Sequence, residues 1–195
     1  YQDSTPMILF VGQVGNDFME REAFQEIDYR RMFGQMAKWV AQIDRTDRIP
    51  EYISRAFAVA TSGRPGPVVL ALPEDTLWGT ARVADLPRYP RVHSHPGAAD
   101  LARMTQLLDA AQRPFLLLGG NGWHQTAIDQ IAGFAERFEL PVGTAWRRLE
   151  CFDQRHPNAA GHVGWAMTPA LRQRLRDADL VLAVGTRLGE ATTEG

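Results

Sequence analysis

Thr61 to Asp75 reads TSGRPGPVVLALPED, and the fold class turns on this stretch. Val68 to Leu72 is apolar at every position and closed by Pro73, the pattern of a strand buried on both faces of a parallel sheet. Gly63 and Gly66 can adopt positive φ, and Pro65 and Pro67 stiffen the turn that delivers the strand. Upstream, Ile49, Ile53, Phe57 and Ala60 share one face at helical spacing, with Pro50 tolerated in the first turn and Gly63 suited to the end. A helix, a stiff turn and a central strand therefore follow one another, and Met7 to Val11 reads as a second buried strand.

Downstream, Pro73, Pro87, Pro90 and Pro96 punctuate a stretch with scattered charge and little periodicity, a linker composition. Alternation then resumes. A helical stripe (Leu101, Met104, Leu107, Leu108) precedes a strand over 115–118, a helix follows over 128–138, and Leu140-Pro141-Val142 opens another strand. Thr168-Pro169 caps a further helix that leads into the strand 180–184. The expected class is α/β, two parallel sheets with helices on both faces, and ligands in such sheets bind at the carboxyl ends of strands.

The 195 residues are 45% apolar with a net charge of -2 and both signs interspersed, so no basic face marks a nucleic acid or membrane-surface partner. No run approaches the roughly 18 apolar residues of a membrane span. The single cysteine, Cys151, excludes an internal disulfide and fits a reducing, cytoplasmic setting. The chain starts at Tyr1 and ends on a polar run after an apparent strand, and it reads as an internal piece.

Arg21 to Asp28 (REAFQEID), taken with Thr61 to Asp75 and Lys38-Trp39, resembles the acetolactate synthase branch of thiamine-diphosphate-dependent enzymes. The resemblance implies that residues 1–78 are the C-terminal part of a pyrimidine-binding domain and 79–96 a linker. Residues 97–195 would then be a Rossmann-like central domain, truncated at its C-terminus. It implies a decarboxylase or carboligase acting on a small 2-keto acid with thiamine diphosphate and Mg2+, in a homodimer or homotetramer. The activating glutamate and the Gly-Asp-Gly metal motif would lie outside the chain, so the piece alone would be inert.

Of the residues present, Gln25 is placed by the resemblance at the substrate, where a neutral amide can donate to a carboxylate or carbonyl oxygen without titrating. Phe24 would wall the same pocket. In the second domain, Gly120 and Gly122 follow a strand and precede a helix, but the third glycine of a dinucleotide fingerprint is replaced by Gln125. Gly185 and Arg187 match the place where the family approaches a flavin, so FAD or another nucleotide is a candidate ligand there. Glu74 stands where these enzymes carry a lysine, which sets the acetolactate reaction and flavin use apart from the rest of the resemblance. A non-catalytic nucleotide-binding or structural module on the same fold is the alternative. His93 and His95 lack partners of metal-ligand type and are assigned to the surface.

Overall fold

The computed structural model describes residues 1–195, which divide into two compact units, Tyr1–Ser94 and His95–Gly195. The first holds β1 (Met7–Gln13), α1 (Tyr29–Phe33), β2 (Trp39–Gln42), α2 (Ile49–Thr61), β3 (Pro67–Pro73) and α3 (Glu74–Trp78). Its sheet is parallel in the order β1-β3-β2, so β3 is bonded on both edges, and all of it except Leu72 is buried. That is why its sequence is a continuous apolar run, whereas the edge strand β2 is short and ends in glutamine. One face packs against α2 through Ala56 and Ala60 beneath Val68 and Leu70, with Ile53 and Trp39 closing the cluster.

The turn into β3 uses its glycines differently from one another. Gly63 takes φ +53 after the end of α2, as expected. Gly66 does not lie in that region. It is glycine because the Cγ and Cδ of Lys38 sit 3.0 Å from where a Cβ would stand. Lys38 earns this space by donating from Nζ to the carbonyls of Val59 and Ser62, which closes the carboxyl end of α2, and burial lowers its pKa.

Residues 79–97 carry no regular structure and are almost entirely exposed. The second unit comprises α4 (Ala98–Ala110), β4 (Pro114–Leu118), α5 (Gln125–Arg137), β5 (Val142–Ala145), β6 (Ala159–Val163), α6 (Pro169–Asp177), β7 (Leu180–Val184) and α7 (Glu190–Thr193). Its parallel sheet runs β6-β5-β4-β7. Alternation splits the core into two layers. Leu116, Leu118 and Val142 pack with Ala135 of α5 on one face, while Phe115, Leu117, Ala145 and Val163 pack with Leu171 of α6 on the other. The chain steps outward from β4 to β5 and β6, then α6 returns it to the far side of β4. The order therefore reverses between β4 and β7, which is the switch point of this sheet.

Leu70, fully buried on β3, is expected to cost about 2–5 kcal/mol when replaced in Leu70→Ala, because the two-sided packing leaves a cavity that cannot collapse. Phe10→Ala, at a residue 51% exposed on edge strand β1, should cost less. Urea denaturation followed by tryptophan fluorescence measures both, and equal costs would contradict a core centred on β3.

Candidate functional site

All three strands of the first sheet run the same way, so their carboxyl ends meet at one edge, and there a single loop, residues 14–28, is held by side chains from β1, β2 and the start of α3. Gln13, at the end of β1 and only 5% exposed, donates from Nε2 to the Ile27 carbonyl (2.8 Å) and accepts from Val14 N (3.1 Å). One amide thus ties the loop's beginning to its end. From β2, Gln42 Nε2 reaches Asp44 Oδ1 at 2.7 Å and Met19 Sδ at 3.1 Å. Beyond β3, the Asp75 carboxylate accepts from Asn16 N (3.0 Å) and Asn16 Nδ2 (2.9 Å). Tyr29 Oη donates to the Gly12 carbonyl at 3.0 Å.

Within the loop, Ala23 to Glu26 form a turn closed by Glu26 N donating to the Ala23 carbonyl at 3.0 Å. Gln25, at its third position, has φ +68, the conformation a type II turn demands there and one glycine usually supplies. Glu20 and Glu22 are also left-handed, so three non-glycine residues of one short loop sit in a sparse region, at about 1–3 kcal/mol each. The Glu26 carboxylate offsets part of this by accepting from Glu20 N (2.6 Å) and Ala23 N (3.2 Å). The turn therefore holds Phe24 and Gln25 at its tip. Phe24 is 88% exposed, and the exposed Gln25 side chain makes no hydrogen bond within the chain.

The family resemblance brought out Phe24 and Gln25 but not the residues that hold them. Asn16 and Asp75 are far apart along the chain, and nothing in either segment signals the other. Glu74, the departure from the lysine pattern, opens α3, where with Asp75 it places negative charge at a helix start.

In the second unit, Gly120, Gly122 and Gly185 all take positive φ (75°, 90° and 73°) in the loops that follow β4 and β7, and exposed Arg187 lies just beyond. These four residues are thus gathered at the switch point. The loops touch through backbone: a Cβ on Gly120 would stand 2.1 Å from the Gly185 carbonyl oxygen. Alongside, Trp146 packs in tilted geometry against Trp165 (ring centroids 5.2 Å) and His162 (5.6 Å). Thr144 and His162 are register partners on β5 and β6, and Thr144 Oγ1 and His162 Nε2 are buried without a hydrogen-bond partner. A cavity of about 730 Å³ lies at the opposite, amino end of this sheet, lined by Arg113, Pro141, Asn158 and Arg174 among others. No group of three or more His, Cys, Asp or Glu side chains is placed to hold a metal ion. His93 and His95 are exposed, and Cys151 is fully buried, its thiol pushed up to about 11 by burial.

Asp75 sets a pH dependence for the loop. Desolvation pushes its carboxyl up, but the two hydrogen bonds from Asn16, together with those from the backbone of Asp75 and Thr76, outweigh that and hold it below the usual carboxylate range. A carboxyl depressed in the folded state contributes stability that is present above the unfolded pKa and lost as pH falls through the folded one. Hydrogen exchange in residues 14–28 should therefore accelerate as pH drops below about 4, after correction for intrinsic rates. Asp75→Asn should accelerate it at neutral pH as well. Unchanged protection in that variant would show that Asp75 does not hold the loop.

Residues 101–195 match the family model described as thiamine pyrophosphate enzyme, central domain. The probable acetolactate synthase large subunit of Methanocaldococcus jannaschii is 34% identical over 99% of this chain and 34% of its own length. The acetolactate synthase isozyme 3 large subunit of Escherichia coli is 32% identical over 99% of this chain and 35% of its own length. The chain spans about a third of the length of these curated relatives. A solved chain from Mycobacterium smegmatis, assigned as a thiamin diphosphate-dependent enzyme, superposes with a TM-score of 0.74 at 27% identity, covering 94% of this chain and 36% of that one. No helix is long and apolar enough to cross a membrane. The second of the two parallel α/β units thus matches the thiamine pyrophosphate enzyme central domain, and the chain over nearly all of its length is similar to about a third of the acetolactate synthase large subunits.

Proposed function

We propose that the intact protein is a thiamine-diphosphate-dependent decarboxylase or carboligase acting on a small 2-keto acid, and that the loop 14–28 is its substrate-facing element. The carrying observation is the turn that presents Gln25, in a left-handed conformation and without a partner of its own, at the carboxyl edge of the first sheet. The first unit is assigned to the pyrimidine-binding domain, here its C-terminal part over residues 1–78. The next segment, 79–96, is the linker, and the central domain follows from residue 97.

When bound, thiamine diphosphate with Mg2+ supplies the electron sink for breaking and making the bond next to the keto carbon. What this chain adds is orientation. The Gln25 amide donates to the substrate's carboxylate or keto oxygen and stays neutral at any working pH. Phe24 places an apolar ring beside the amide and keeps water from the reacting carbon. Glu26, Asp75 and Gln13 position these two and touch no substrate themselves. FAD has no step in this scheme. The chain alone is assigned no turnover, the activating glutamate and metal ligands belonging to other segments. The active form is a homodimer or homotetramer in the cytoplasm, in keeping with a lone, buried cysteine.

Gln25→Gly separates function from strain. Glycine accepts φ +68 readily, so stability should hold or rise slightly, while loss of a charge-assisted hydrogen bond should lower kcat/KM for the keto acid roughly 10- to 100-fold. Steady-state kinetics of the intact holoenzyme with pyruvate as the first probe reads this out. An unchanged kcat/KM in a well-folded Gln25→Gly would remove Gln25 from the substrate site, and a holoenzyme without thiamine-dependent turnover on any 2-keto acid would favour the non-catalytic module.

A further inference from the structure

A dinucleotide on a sheet of this kind needs three things at the switch point: a crevice between the two strand-to-helix loops, free N–H groups on the first turn of the following helix, and a surface on which its rings can lie. The crevice is absent here, and the helix start is narrowed. Between the loops after β4 and β7, a Cβ on Gly119 would stand 2.8 Å from Thr186 Cβ, and one on Gly185 would stand 2.4 Å from the Gly119 carbonyl oxygen. With Gly120 also against the Gly185 carbonyl, the glycines serve to bring the loops together, and no diphosphate-sized gap is left between them.

The start of α5 is partly occupied as well. His124 caps it with its own side chain, Nδ1 accepting from Ala127 N at 3.2 Å. Trp123 turns inward and donates from Nε1 to the Gly119 carbonyl at 2.8 Å. Gln125 stands where the third glycine of a fingerprint would allow close approach, its amide bonded to Asp129 at 2.8 Å. Of the nearby aromatic rings, Trp146 packs tilted against Trp165 and His162 and carries the Arg147 guanidinium 5.5 Å above its ring, while Trp146 and Trp165 stay 36% and 48% exposed. Thr144 Oγ1 and His162 Nε2 are unpartnered, but each exposes less than 1 Å², so neither is a handle for a ligand arriving at this edge.

We infer that the second unit carries no flavin or adenine dinucleotide: the space between its two strand-to-helix loops is closed by their own glycine backbones, the start of α5 is capped by His124, and the unit serves as a structural domain. This sets the protein apart, within the family reading above, from members whose central domain takes FAD, and it accords with Glu74 replacing the lysine.

The intact protein, reconstituted with thiamine diphosphate and Mg2+, is the sample for the test. Its visible spectrum, and the flavin fluorescence of the supernatant after denaturation, should show no stoichiometric flavin. Titration with FAD, and separately with ADP, should give no saturable quenching of tryptophan fluorescence. One equivalent of released flavin, or saturable quenching by either nucleotide, would overturn the inference. Thiamine-dependent turnover is scored on the same sample: a colourless, nucleotide-blind protein that turns over supports both readings, and one that does not turn over supports this inference while counting against the proposed activity.

Discussion

Strand β3 is hydrogen-bonded in parallel to a neighbour on each edge and buried on nearly all of its length, and the first unit is organised around that constraint. A strand with both edges paired and both faces covered can present only its ends to solvent. Parallel pairing then sends the carboxyl ends of all three strands to the same side. The polar residues at those ends, Gln13, Gln42 and Asp75, each find a partner in the loop 14–28, respectively Ile27, Met19 and Asn16. The sheet and the loop are in this sense one object.

The loop spends the order it gains on strain. Three left-handed non-glycine residues would be unfavourable in a free peptide, and they persist because Glu26, Asn16 and Gln13 over-determine the path. What this achieves is the outward presentation of one ring and one amide. The second unit uses its sheet edge differently: left-handed Gly120 and Gly185, after β4 and β7, draw two loops into contact. The two units share an architecture and differ in whether the left-handed residues hold side chains outward or bring two loops together.

Most of the elements are legible in the sequence because they carry one of two periods. β3, β4 and β7 are unbroken apolar runs, and α2, α5 and α6 show apolar stripes with proline or polar caps at their starts. β2 and β6 are not legible. Each is short, lies at a sheet edge, and mixes in residues such as Gln42, Gly161 and His162 that no buried strand would favour. α1 and α3 are single turns, too short for a helical period to appear. The Phe24-Gln25 pair stands out as a motif, yet its conformation does not, since glutamine ordinarily argues against a left-handed position.

The sequence by itself determined the class of the fold, the boundary region rich in proline, and the chemical character of the two residues at the loop tip. These follow from local causes: hydrophobic period, the fixed φ of proline, and the donor and acceptor groups of a side chain. Tertiary structure alone decided which polar residues hold the loop and whether glycines open a crevice or close one. Both depend on contacts between segments remote in the chain, Asn16 with Asp75 and Gly120 with Gly185, and a local pattern carries no record of its distant partner.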